Sequence, residues 1–191
     1  MGRKMIILLG KTCSGIRWIQ QELSCLGIPK ILEYATRPPE WGEDQGDTYH
    51  SISDREFYNL YRRGFFAVTS SVKTQGGQVL RQGVAARDLA PRSVLIGNPM
   101  QIGRLKEMHL AMPAVFYLDT DEHLIYERLK DRLGSAYEAQ RRMVREKQAL
   151  SPLAQLIDYR IENDGTHEME ELVGRIRGLH EYHLGGCRYS Q

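Results

Sequence analysis

Cysteine is scarce in this sequence: Cys13, Cys25 and Cys187 are the only three in 191 residues. They are too few and too scattered for a disulfide framework or a cysteine zinc site. An excess of one charge is missing too, because 26 Lys+Arg stand against 24 Asp+Glu and leave +2. That balance excludes nucleic-acid or membrane binding by bulk electrostatics, so anion recognition must be local. No apolar run approaches the roughly 20 residues that a bilayer span needs. The aliphatic run Met5–Leu9 is also too short for a signal sequence and has no small-residue cleavage site behind it. The histidines lack metal-ligand spacing in a convincing context; His180 and His183 lie one helical turn apart, but near a polar terminus. No metal site is expected.

Hydrophobic residues make up 41% and charged residues 26%. That is a globular composition, long enough for one substantial core. Met5–Leu9 reads as a buried parallel strand, followed by a Gly-bounded loop and a helix over Trp18–Leu26. A strand is expected over Lys30–Tyr34, then a loop rich in Pro, Gly and Asp from Arg37 to Asp47. Ser53 caps a helix that runs to Arg63, and Phe65–Val72 and Gln78–Arg81 form a hairpin across Gly76-Gly77. Ser93–Ile96, Ala114–Leu118 and Asp158–Ile161 are further strands. Helices are expected from His123, over Gly134–Gln148 and over Glu168–His183, with a frayed tail from Leu184. Strands alternating with helices imply a right-handed parallel α/β core, with an antiparallel insertion near residues 34–84. A single cytoplasmic domain is the expectation.

The first strand runs into Gly10-Lys11-Thr12-Cys13-Ser14-Gly15-Ile16-Arg17. A phosphate loop is G-x-x-x-x-G-K-[ST] between strand and helix, and both glycines stand at that spacing. Its backbone N–H groups cradle phosphate oxygens, the lysine reaches the β- and γ-phosphates, and the hydroxyl holds magnesium. Here Ile16 takes the lysine position and Arg17 the hydroxyl position. The shape is kept and the two chemical side chains are gone. Cys13, in mid-loop, reads as a small residue that fits a tight turn.

The stretch Ala35-Thr36-Arg37-Pro38-Pro39-Glu40-Trp41-Gly42-Glu43-Asp44-Gln45-Gly46-Asp47-Thr48-Tyr49 resembles the guanylate kinase signature T-T-R-x-P-R-x-G-E, x-x-G, then tyrosine. The loop, Leu95–Gln101, the arginine-bearing segment Arg128–Arg142 and Ile161–Gly165 extend the resemblance over nearly the whole chain. It implies a P-loop nucleoside monophosphate kinase fold: a parallel sheet flanked by helices, a small antiparallel GMP-binding insertion and a helical lid. On that pattern the core covers about 1–33, 85–127 and 150–183, the insertion about 34–84 and the lid about 128–149.

Carried over by position, the resemblance places Gly10, Lys11, Ser14, Gly15 and Arg17 in the phosphate loop. Arg37 and Tyr49 match holders of the GMP phosphate, and both suit that task as donors. Glu43 belongs to the turn framework with Gly42 and Gly46. Glu40 replaces a second phosphate-binding arginine, and Arg81 falls on a phosphate-binding tyrosine. Glu33 falls on a residue that helps read guanine, while the guanine-reading carboxylate falls on Val68 or Thr69. Gly97-Asn98-Pro99 replaces a magnesium-organising aspartate. Arg132, Arg141 and Arg142 resemble the arginines that close over ATP, and Asn163 a position near adenine.

Three readings stay open. One is a guanylate-kinase-like, pseudokinase-type protein that binds a nucleotide, another phosphorylated ligand or a protein, with phosphoryl transfer impaired. Another is an active guanylate kinase in which Arg17 or Lys11 compensates. The third is altered chemistry on a nucleotide-like substrate, with Glu33, Glu40 and Glu43 beside Arg37 as acid–base groups. ATP and magnesium are implied as cofactors only where kinase activity is retained.

Overall fold

The computed structural model describes residues 5–38, 49–74, 76–108 and 113–185. Its centre is strand β1 (Ile6–Gly10), which is apolar throughout because both of its faces are covered. β1 lies between β7 (Val94–Ile96) and β8 (Ala114–Thr120), parallel to both. With β2 (Lys30–Ile31) and β9 (Tyr159–Asn163) they make a five-stranded sheet ordered β2-β7-β1-β8-β9. Alternate residues point to opposite faces. Ile6 and Leu8 therefore join Val94, Phe116 and Leu118 under α1 (Ile16–Cys25) and α6 (Met169–Gly185). Ile7 and Leu9 face the other way, with Leu95, Val115 and Tyr117, toward α3 (Ile102–Glu107). Each such fully buried aliphatic side chain contributes roughly 1.5–3 kcal/mol.

A second, four-stranded sheet has the order β4-β3-β6-β5. It is built from β3 (Glu33–Ala35), β4 (Tyr49–Ser51), β5 (Phe66–Lys73) and β6 (Val79–Ala85). The β5–β6 and β3–β6 pairs are antiparallel, and β3–β4 is parallel. An aromatic core of Phe57, Phe65, Phe66, Tyr34 and His50 fixes α2 (Asp54–Arg62) to this sheet, with the Phe57 and Phe66 rings stacked at 4.7 Å. Ser53 caps α2 by accepting from the Glu56 N–H.

The single strand expected over Lys30–Tyr34 is a correction. It divides at Leu32, so that Lys30 and Ile31 pair with β7 while Glu33 to Ala35 pair in the other sheet. One run of residues thus passes from the core to the insertion. The short strand β4 and helix α3 are additions to the expected elements.

Helices α4 (Glu122–Leu133) and α5 (Ala136–Leu150) form the remaining layer. Asp121 caps α4 through the His123 and Leu124 N–H groups, and Gly134 ends it at φ 65°. Ser135 then caps α5 by accepting from Glu138 N–H. Ile125, Leu129 and Ala139 form their shared core, and Cys13 packs on it. The tip of the glycine loop is thereby placed under α4 and α5. Among the described residues no helix is long and apolar enough to cross a membrane.

Candidate functional site

The loop between β1 and α1 is tight for steric reasons. A Cβ on Gly10 would lie 2.6 Å from Ser14 Oγ and 2.9 Å from Ile16 Cγ2. Gly15 has φ 102° and opens α1 from the left-handed region that glycine favours. Ser14 is fully buried, and its Oγ has no hydrogen-bond partner among the described residues. Its carbonyl accepts from Thr120 Oγ1 at 3.1 Å and from Asn163 Nδ2 at 3.3 Å. Asn163, itself buried, thus holds the loop from beneath. Ile16 turns into the apolar cluster beneath α1.

From above, α5 closes on the same loop. Glu146 Oε2 accepts the Thr12 backbone N–H at 2.7 Å, and its Oε1 accepts the Thr12 hydroxyl. Arg142 Nε donates to the same carboxylate at 3.1 Å. Lys11 Nζ, buried, donates to Glu122 Oε1 at 2.8 Å, and Lys147 reaches that oxygen at 3.3 Å. These two lysines hold the Glu122 carboxyl below its usual range, chiefly by hydrogen bonding. Arg128 Nη1 donates to the Cys13 carbonyl at 3.0 Å. A carboxylate therefore occupies the backbone donor that a phosphate loop offers to an anion.

A cavity of about 130 Å³ lies between the two sheets beside the start of α1. Its walls include Arg17, Gln20, Glu33, Arg37, Tyr49 and Gln82. The Arg37 guanidinium sits over the buried Tyr49 ring, 4.3 Å from its centroid. Cation–π contact of this kind orients an arginine without using its N–H donors in the ring plane. Glu33 Oε1 is buried with no hydrogen-bond partner among the described residues. Burial pushes its carboxyl up to about 7, against the opposing pull of Arg37.

Among solved structures, the guanylate kinase from Anaplasma phagocytophilum superposes at TM-score 0.66 with 20% identity, covering 95% of this chain and 87% of that one. A shikimate kinase from Bacteroides thetaiotaomicron gives 0.51 and 14%, with 93% and 98% covered. The chain has a guanylate-kinase-like fold. An uncharacterized protein from Eubacterium ventriosum also superposes, at 0.53 with 13% identity, covering 94% of this chain and 99% of that one. No protein-family model matches the chain, and no curated protein sequence does.

Within that fold, the positions expected to carry chemistry separate into two groups. Arg17, Glu33, Arg37 and Tyr49 come together at the cavity, while Gly10, Lys11, Ser14 and Gly15 form the loop. Arg81 stands apart from the cavity lining, half-exposed and paired with Asp54 at 2.5 Å. Arg141 pairs with Glu138 at 3.4 Å on the exposed side of α5, and Arg132 lies half-buried near the end of α4. Asn163 also borders an open acidic hollow with Asp119, Asp121 and Glu122. Glu40, Gly42, Glu43 and Gly46 lie outside the described residues, as do His109 and Cys187.

The position of the guanine-reading carboxylate, Val68 or Thr69, and the strand end at Gly97 carry no carboxylate. Val68 is buried in the core, and a Cβ on Gly97 would come within 2.6 Å of Ile7 Cγ2. A side chain at Gly97 would force the packed Ile7 to move. Asn98 instead donates to Gln82 Oε1 at 2.5 Å and to Ser70 Oγ at 3.1 Å, and Gln101 Nε2 donates to Ser70 Oγ at 3.0 Å. This amide network ties the second sheet to the end of β7. Sequence reading named this stretch and the lid but not the Asn98 and Gln101 amide bonds or Glu146, because their partners are distant in sequence. The spacing of Arg142 and Glu146, one helical turn apart, was the available signal for the latter.

Proposed function

We propose that this protein binds a phosphorylated small molecule, a nucleoside monophosphate foremost, and does not transfer a phosphoryl group efficiently. The observation that carries this reading is the Glu146 carboxylate on the Thr12 N–H and hydroxyl. A γ-phosphate arriving there would meet a negative charge instead of a donor. Phosphoryl transfer depends almost wholly on positioned charge stabilisation, and one such donor is worth about 10²–10³ in rate.

Neither proposed stand-in restores that charge. Lys11 is engaged with Glu122, and Arg17 lines the cavity between the two sheets. The β7 end, where Gly97-Asn98-Pro99 stands, carries no carboxylate for magnesium. The residues present therefore do not fit ATP with its metal. Arg37 and Arg17 at the cavity favour a phosphate on the acceptor side, which supports binding there. The guanylate kinase neighbour makes GMP the first ligand to try.

Calorimetry with GMP, inorganic phosphate and ATP tests the reading. GMP or phosphate is expected to bind, Arg37→Ala to weaken it at least tenfold, and ATP to bind weakly or not at all. Failure of GMP and phosphate to bind removes the reading and favours a protein partner.

A further inference from the structure

The cavity brings one carboxyl and two guanidinium groups to the same space. Its charged or titratable groups are Arg17 of α1, Glu33 of β3, Arg37 beyond it and Tyr49 of β4. The strands β2, β6 and β7 contribute only apolar and amide side chains. Glu33 Oε1 is buried with no hydrogen-bond partner among the described residues. A buried oxygen left unserved is most costly when it carries charge. Burial accordingly pushes the Glu33 carboxyl up to about 7, with Arg37 pulling the other way.

The state of that carboxyl decides the field that an incoming anion meets. Ionised, Glu33 offsets one guanidinium charge and repels a second anion inside a small space. Protonated, it leaves both positive charges to the ligand and offers an O–H as donor. The influence is reciprocal, because a bound anion favours the proton on Glu33 as much as the proton favours the anion.

We propose that Glu33 is a proton gate on the anion site: the cavity takes up a phosphate-like dianion together with one proton on the Glu33 carboxylate. This rests on the cavity being the binding site and adds its regulation. The proton comes from solvent, and no bond of the ligand breaks. With the carboxyl at about 7, about nine-tenths of the sites are protonated at pH 6 and about one-tenth at pH 8. Apparent affinity scales with that competent fraction, which amounts to about a tenfold difference.

Calorimetry with sulfate on the full chain tests the gate. Sulfate stays a dianion at both pH values, whereas a phosphate monoester gains a proton near pH 6. It is expected to bind about tenfold more tightly at pH 6 than at pH 8. At pH 7, two buffers of different ionisation enthalpy should report about half a proton taken up per sulfate bound. In Glu33→Gln the affinity should differ by less than about threefold between pH 6 and pH 8, and at pH 8 exceed wild type about tenfold. Glu33→Ser, with the same flat profile expected, serves if the first variant does not fold. Guanidinium groups keep their charge throughout this range and do not imitate the effect.

A flat or inverted profile in the wild-type protein, or a tenfold rise that the variants reproduce, overturns the gate and leaves the cavity as the site. If sulfate binds neither wild type nor variant at either pH, the gate falls as well. The GMP titration then decides whether the binding reading falls with it.

Discussion

Glu146 of α5 holds Thr12 of the glycine loop with both carboxylate oxygens, one on the backbone N–H at 2.7 Å and one on the hydroxyl. The loop is thereby satisfied from within the chain. Arg142 Nε also donates to this carboxylate, at 3.1 Å. Replacing Glu146 by Ala should expose the Thr12 donors and remove the repelling charge. Pyrophosphate binding, measured by calorimetry, is expected to strengthen at least tenfold. Stability should fall by roughly 1–2 kcal/mol, the worth of a charge-assisted hydrogen bond lost. Unchanged pyrophosphate affinity would show that the carboxylate does not guard the loop.

Restoring the missing side chains alone should fail. Ile16→Lys with Arg17→Thr returns the expected residue types, but Glu146 still faces them. ATP affinity in that double variant is expected to stay within about threefold of wild type. Adding Glu146→Ala should raise it tenfold or more, a coupling that a three-variant cycle measures. Tight ATP binding in the double variant alone would place the obstacle at Ile16 and Arg17 only.

Glu33 makes stability depend on pH with a definite sign. Its folded carboxyl titrates near 7 against an ordinary 4.5, so the folded chain holds the proton more tightly. The stability it contributes is fully present below pH 4.5 and is lost as pH rises through 7. That loss is on the order of 2–3 kcal/mol for a shift of this size. Glu33→Gln should flatten this slope and be the more stable protein at pH 8. Urea denaturation at pH 5 and pH 8 checks it, and parallel pH profiles for the two proteins would contradict it.

Asn98 links the two sheets through Gln82 and Ser70. Asn98→Ala removes both bonds and leaves the Gln82 amide oxygen without its donor. A loss of roughly 1–3 kcal/mol is expected. Amide exchange in β5 and β6 should rise more than in β1 and β8, since only the former depend on the latch. Uniform acceleration across both sheets would assign Asn98 to global stability instead.

The parallel core was legible because hydrophobic runs such as Ile6–Leu9 and Val94–Ile96 carry it locally. The cap at Ser53 was equally visible, since a cap is written within three or four residues. The division of residues 30–35 between two sheets was not, because pairing partners 64 residues apart in β7 and 47–49 apart in β6 decide it. Arg37 and Tyr49 could be named from the motif, and both line one cavity. The contact of Glu146 with Thr12 spans 134 residues and follows from tertiary packing alone. Glu33 was visible as an odd acid beside Arg37, but its unpaired oxygen is a property of the folded surroundings.

Whether the loop is closed to phosphoryl transfer is tested most directly by ADP release from the wild-type protein with ATP, GMP and magnesium. Turnover is predicted to lie at least about 10³-fold below the roughly 1–100 s⁻¹ typical of kinases. A rate within tenfold of that range would contradict it, and would require Glu146 to leave the loop during catalysis.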